Sequence, residues 1–262
     1  YNLKGIATVT RQKYLTASEK GPWANSYDRW RNDNLTNRYQ GVQFGYTSAG
    51  RYTSWNDIWN YYGFKERDVL PGDYKYEDWN GDGEINGQDE HPFAFDQTPW
   101  LQFSLNAGLQ WKNFDFNMLL QGSALGSMEY KEPLHEIWGK NGGGALTQFL
   151  DRWHPVDPKA DPYDPSTVWT SGHYAYTGRW AKNNSAFNRV STAYLRLKSI
   201  ELGYTFPKLK QIPNASLRVY ANAYNLLTFT GVKFVDPEHP DDDLGRMYPL
   251  NKTYTLGVSL SF

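Results

Sequence analysis

The sequence predicts an all-β protein, made of antiparallel strands from a large transmembrane β-barrel with long extracellular loops. Three observations carry this. The last strand puts Tyr254, Leu256, Val258, Leu260 and Phe262 on one parity, and Thr255, Gly257, Ser259 and Ser261 on the other. Successive side chains of a strand point to opposite faces, so one face is apolar and the other small and polar. Short and long connections alternate along the chain, as turns and loops do on the two sides of a membrane barrel. Finally, 20 Tyr, 13 Phe and 11 Trp make an aromatic load of 17%, which suits interfacial girdles or sugar-stacking surfaces.

Six strands are expected, over about residues 1–14, 99–111, 114–125, 191–206, 215–228 and 252–262. In the first, Tyr1, Leu3, Ala7 and Val9 oppose Asn2, Lys4, Thr8 and Thr10, with Ile6 a breach on the polar side. The second is the cleanest: Leu101, Phe103, Leu105, Ala107, Leu109 and Trp111 against Gln102, Ser104, Asn106, Gly108 and Gln110. A tight turn at Lys112-Asn113 leads to the third, where Phe114, Phe116, Met118 and Leu120 face away from Asp115, Asn117 and Gln121. The fourth changes parity: Leu195 and Leu197 are odd, whereas Ile200, Leu202, Tyr204 and Phe206 are even. A bulge near Lys198 to Ile200 would restore one face; a misplaced strand would also explain it. In the fifth, Leu217, Val219, Ala221 and Ala223 oppose Arg218, Tyr220, Asn222 and Tyr224. Long loops are expected over about 16–97, 128–190 and 229–250. Compact soluble domains rarely carry connections of such length.

Composition removes several classes. There is no Cys, which excludes disulfides and thiolate chemistry, and the net charge of −1 supplies no basic field for nucleic acid. Mean hydropathy is −0.73 and no apolar run is long enough for a membrane helix. The chain opens at Tyr1 in what reads as mid-strand. Six strands are also fewer than the eight of the smallest single-chain barrels. Both points lead to the expectation of a piece of a longer polypeptide.

Several stretches, in order, resemble SusC/RagA-type TonB-dependent transporters. They are Gln43-Phe44-Gly45-Tyr46, Gly50-Arg51-Tyr52, Pro71 to Ile85, Phe114-Asp115-Phe116 with Gln121-Gly122, Tyr194 to Lys198, Leu202 to Pro207, Leu217 to Tyr220, Asn225 to Thr230 and Tyr254 to Val258. The resemblance implies the C-terminal part of a 22-stranded barrel, with the plug domain and the TonB-contacting segment outside this chain. It implies active import of a large nutrient, an oligosaccharide or an oligopeptide, across the outer membrane. TonB would transmit the inner-membrane proton gradient, and a SusD-like surface lipoprotein would cap the extracellular mouth.

One motif has sharp chemistry. Asp78 to Asp89 fits a twelve-residue calcium loop. Asp78, Asn80 and Asp82 supply oxygens at positions 1, 3 and 5, Gly83 makes the sharp turn at 6, Glu84 offers its backbone carbonyl at 7, and Asp89 closes at 12. A hard cation wants six or more oxygens, and Ca2+ suits an oxygen-only set. Position 12 is Asp rather than the longer Glu, and no helices flank the loop, so it looks like the dockerin type. A metal-free Asx/Gly turn has the same composition. The expected role is structural.

Other candidates are weaker, and no substrate-binding residue is assigned. Trp23, Trp30, Trp55, Trp59, Trp153, Trp169, Tyr174, Tyr176 and Trp180 lie in the long loops, where they would either stack on sugars or pack the loops on themselves. Asp236, Glu238 and Asp241 to Asp243 with His239 form an acidic run, which reads as a cation site, a contact for a basic partner or a solvated loop. Arg196, Lys198 and Arg218 face inward and would line the lumen. Enzyme readings fare poorly. The five His are scattered, His135-Glu136 lacks the second His of a zinc protease, no Gly-x-Ser-x-Gly elbow occurs, and Gly142 to Gly144 follows no strand. The rival readings are a soluble, calcium-stabilised all-β glycan-binding module and a passive barrel.

Overall fold

A computed structural model describes residues 1–17, 22–33, 36–61, 69–131, 134–135, 145–178, 181–182, 184–207, 215–238 and 247–261. Trp180, Glu136, Gly142 to Gly144, His239, Asp241 to Asp243 and Phe262 lie outside the described residues. One antiparallel sheet dominates. Its strands are β1 (Asn2–Val9), β2 (Leu101–Trp111), β3 (Phe114–Ala124), β4 (Tyr194–Phe206), β5 (Ser216–Thr230) and β6 (Thr253–Ser261), paired in that order from edge to edge. From β2 onward these strands are 9–15 residues long, enough for tilted strands to cross a bilayer core.

Register fixes the faces. Val258 pairs with Val219, Leu256 with Ala221, Leu202 with Ala221 and Phe116, and Leu109 with Phe116, so one face is apolar across the sheet. The parity change in β4 is a bulge between Leu197 and Ser199. Lys198 is the extra residue against β3, where Leu197 pairs with Leu120 and Ser199 with Leu119. Against β5 the ladder steps from Leu227 to Tyr224, and Asn225 takes a left-handed φ of 52°. The irregularity keeps Leu195, Leu197, Ile200 and Leu202 on one face although their spacing breaks alternation.

Nothing among the described residues covers this apolar face. Leu256 is 84% exposed, and Leu202, Leu227, Phe229, Tyr254 and Val258 are exposed as well. At the turn end, Trp111 stacks near Phe114 (6.4 Å), Phe114 meets Tyr204 (4.8 Å), and Tyr204 meets Phe206 (4.9 Å). This aromatic belt closes one end of the apolar band, as expected at a membrane interface. Lys112 makes the hairpin turn with φ 53° and lays its ammonium 4.8 Å from the Trp111 ring.

The opposite face is polar apart from Ile6 and Leu119, which pair with Ser104 and Asn106. A Cβ at Gly203 would meet Arg218 Nη2 at 2.5 Å, and one at Gly257 would meet Tyr220 Cζ at 2.2 Å. Long side chains therefore lie across glycines of the neighbouring strand.

The packed cores sit in the long connections. Helix α1 (Ser26–Asp33) starts where Asn25 Oδ1 accepts the Asp28 N–H (2.8 Å), and Arg38 donates to its late carbonyls at Trp30 (2.7 Å) and Arg31 (3.1 Å). Helix α2 (Trp55–Asn60) is capped by Ser54, whose side chain accepts the Asp57 N–H, and buries Ile58 with Tyr52 and Val69. The first two long connections dock through Tyr46. Its N–H donates to the Asn184 carbonyl (3.0 Å), and its carbonyl accepts the Ala186 N–H (3.0 Å). Gly45 permits this approach, because a Cβ there would lie 1.7 Å from the Asn184 carbonyl oxygen.

Candidate functional site

The loop from Asp78 to Asp89 is held by its own acidic side chains. Asp78 Oδ1 accepts the N–H groups of Gly81 (2.8 Å) and Asp82 (3.2 Å), and Oδ2 accepts that of Gly83 (2.8 Å). Asn80 Oδ1 accepts the Asp82 N–H (2.9 Å), and its Nδ2 donates to Asp82 Oδ2 (3.0 Å). Asp82 Oδ1 accepts the Glu84 N–H (2.8 Å). Gly83, at φ 82°, makes the left-handed turn that the spacing required. Asp89 clamps the two ends together: it accepts from Trp79 (3.0 Å) and Asn80 (3.4 Å) at one oxygen and from Asn86 (2.7 Å) at the other. Burial, the largest influence, pushes the Asp89 carboxyl above the usual carboxylate value, with Asp78 adding to the rise, while its hydrogen bonds pull it back.

Asp78, Asn80 and Asp82 are thus brought together, whereas Asp89 is turned to backbone amides. Among the described residues no group of three or more Asp, Glu, His or Cys converges as a metal cluster. The donor chemistry still suits a hard cation. Asp78 Oδ2 and Asn80 Oδ1 each take one N–H bond, which leaves acceptor capacity on both oxygens.

Trp79, the second residue of this loop, stacks with His91 (5.0 Å, 11°) and with Trp30 of α1 (5.8 Å, 24°). Other loop aromatics also pack on one another: Phe149 on Tyr174 (4.6 Å), Trp169 on Tyr176 (5.4 Å) and Trp55 on Tyr163 (6.4 Å). These rings build small loop cores.

The polar face carries two ion-pair networks. Arg196, almost fully buried, donates from Nη2 to both Asp236 oxygens (2.9 and 2.7 Å), from Nη1 to Glu238 Oε1 (3.0 Å) and from Nε to Thr228 Oγ1 (3.0 Å). Lys198 lies 3.8 Å from Glu238. Asp236 and Glu238 are therefore tied to the strand wall, which departs from a solvated acidic loop. The run's spacing marked its charge; its partner lay 40 residues away in sequence. Further along, Arg218 donates to both oxygens of Asp115 and to Glu201 Oε1 (2.6 Å), and Asn222 Nδ2 donates to Glu201 Oε2 (3.4 Å).

A sheet with an uncovered apolar face, an aromatic belt, a polar inner wall and long folded loops defines the wall of a membrane β-barrel. No family model matches the chain. It is 28% identical over 211 residues to TonB-dependent receptor P3 of Formosa agariphila, covering 74% of this chain and 19% of that protein. It is 27% identical over 239 residues to TonB-dependent receptor P26 of the same organism, covering 86% and 22%. It is 26% identical over 210 residues to TonB-dependent receptor SusC of Bacteroides thetaiotaomicron, covering 79% and 19%. The chain thus spans about a fifth of the length of these relatives. The RagAB peptide transporter shares the fold with a TM-score of 0.53 at 20% identity, over 84% of this chain and 22% of that one. The likeness is to TonB-dependent receptors of the SusC/RagA kind. These relatives are receptors and transporters, not enzymes.

Proposed function

We propose that this chain forms part of the barrel of an outer-membrane, TonB-dependent importer of a large nutrient, an oligosaccharide or an oligopeptide. The carrying observation is the six-stranded sheet whose apolar face is left for lipid while its other face is polar and charge-paired. Similarity to TonB-dependent receptors over most of the chain supports the same reading. In this reading the barrel has 22 strands, a segment outside this chain contacts TonB, and a SusD-like lipoprotein caps the mouth.

Fractionation joined to an uptake assay tests the proposal. The polypeptide carrying this chain is expected in outer membranes, extracted only by detergent, with a mass several times 30.3 kDa and uptake lost in cells without TonB. A detergent-free species near 30.3 kDa would overturn it and favour a soluble, calcium-stabilised glycan-binding module.

We also propose that the loop takes Ca2+ as a structural ion, through Asp78, Asn80 and Asp82 with the Glu84 backbone carbonyl, while Asp89 closes the loop. Supporting this are the oxygen-only donors, the turn at Gly83 and the amide bonds that already curl the chain around Asp78. The ion would stiffen a loop anchored on α1 through Trp79.

A further inference from the structure

We propose that a groove of about 520 Å3 on the apolar face holds one acyl chain of a phosphate-bearing membrane lipid. The inference rests on the membrane-barrel reading above and concerns the face turned to the bilayer, not the lumen.

Strand register builds the groove. Two rows cross the sheet there: Leu202, Ala221 and Leu256, then Ile200, Ala223 and Tyr254. In each row the middle side chain is a single methyl between two long neighbours, and all six residues line the groove. Ala223 is 8% exposed, whereas Tyr254 is 68% and Leu256 84% exposed. The alanines are therefore the floor, and their neighbours on β4 and β6 are the walls. One row nearer the turn end, Val219 pairs with Tyr204 and Val258, and the bulkier floor makes the trough shallower. The walls stand on strands about 10 Å apart, and their side chains narrow that gap. A helix, about 10–12 Å across, is too wide to enter; a polymethylene chain is not. Both alanines lie on β5, so the trough runs between the loop end and the turn end, the direction in which acyl chains cross a leaflet.

Charge at the loop end selects the headgroup. Lys252 is exposed, shares the parity of Tyr254 and precedes it by two residues. It therefore stands on the lipid side, about 7 Å nearer the loops than Tyr254. Asn225 Nδ2 donates to the Asn251 carbonyl (3.0 Å), which holds the chain just before Lys252 against β5. An ammonium at this level complements a lipid phosphate, while the groove below takes the chain. Tyr254 lies between the two, where its amphipathic ring suits the boundary of headgroup and hydrocarbon. Within a bilayer one apolar neighbour is worth as much as another in hydrophobic terms, so selection falls to packing in the trough and to this charge.

The full-length receptor carrying this chain, in detergent, would be titrated with diphosphorylated lipid A, phosphatidylglycerol and uncharged diacylglycerol, and bound lipid read by native mass spectrometry. One copy of a phosphate-bearing lipid is expected to be retained in preference to diacylglycerol. Its affinity should fall about tenfold in Ala221→Leu/Ala223→Leu, which fills the floor and removes the chain's packing contacts. It should fall about fivefold in Lys252→Gln and stay unchanged in Leu260→Ala, on the same face outside the groove. Heat-modifiable migration on gels checks that each variant is folded. Retention undiminished in folded Ala221→Leu/Ala223→Leu, or diacylglycerol held as tightly as the phosphate lipids, would overturn the inference. A receptor dimer that dissociates in the filled variant would also overturn it, and assign the groove to a second copy. Extraction without detergent would remove the membrane reading itself; a detergent-dependent, folded barrel that retains no lipid removes the groove assignment alone.

Discussion

Arg196 on β4 grips Asp236 through two hydrogen bonds of 2.9 and 2.7 Å, and so ties the third long connection to the inner wall. Both side chains are largely withdrawn from water. Removing one partner of a buried pair leaves the other charge uncompensated, at about 3–5 kcal/mol. Arg196→Met is therefore expected to lower thermal stability and to expose residues 231–238 to limited proteolysis. Arg196→Lys should not rescue it, because one ammonium cannot reach Asp236, Glu238 and Thr228 together as Nη2, Nη1 and Nε do. Wild-type protease resistance in Arg196→Met would refute the tie.

Deleting Lys198 tests the bulge. Without the extra residue, either Leu195 and Leu197 or Ile200, Leu202 and Tyr204 must turn to the polar side. Failure to assemble a heat-modifiable barrel is expected. Lys198→Ala keeps the residue count and should assemble normally.

Gly45→Ala tests the junction of the two longest connections. The new methyl would press into the Asn184 carbonyl, a backbone group with little freedom to retreat. The Tyr46 amide bond should open, seen as faster hydrogen exchange at Tyr46 and Ala186, while membrane assembly is retained. Unchanged exchange would show that the strands slide apart at no cost.

Terbium luminescence tests the calcium proposal. Trp79 sits inside the loop and can sensitise a lanthanide bound there. Emission excited at Trp wavelengths should appear on adding Tb3+, be displaced by Ca2+, and be lost in Asp78→Asn/Asp82→Asn. No sensitised emission from the wild-type receptor would reject the site.

Asp73 predicts a pH dependence. It is buried, and desolvation raises its carboxyl above the ordinary 3.8, against hydrogen bonds from the Leu70 N–H (2.8 Å) and Thr177 Oγ1 (2.9 Å) and the nearby charge of Arg51. Folding thus disfavours the ionised carboxylate relative to the unfolded chain. Its contribution is full below the unfolded value of 3.8 and is lost as pH rises through the folded value. Asp73→Asn, neutral at every pH, should flatten this decline between acid and neutral pH. A decline of the same slope in the variant would assign it to another group.

The sheet was legible in the sequence because its two faces carry opposite chemistries on alternate residues. Tyr254 to Leu260 displays that contrast directly, and the parity break at Lys198 displays the bulge. The loops were less legible. Helices α1 and α2 are short and polar, and their stability comes from contacts such as Ile58 with Tyr52 and Val69, which leave no period in the chain. The spacing of Asp78, Asn80, Asp82 and Gly83 anticipated the curl of the loop, but not that Asp89 would spend its oxygens on amides. Pairing of Arg196 with Asp236 is a fact of three dimensions. Ile6 was visible as a breach in alternation; Leu119 was the overlooked second breach, and both line one cavity on the polar face.

Toward the turn end of the polar face, the strands satisfy the Arg218 charge among themselves. Arg218 and Tyr220 lie down over Gly203 and Gly257, and Asp115 and Glu201 neutralise the guanidinium. The guanidinium already spends its donors on Asp115 and Glu201, which leaves it little to offer a molecule from outside the sheet. In the importer proposed above, this stretch of wall would hold passing cargo only weakly.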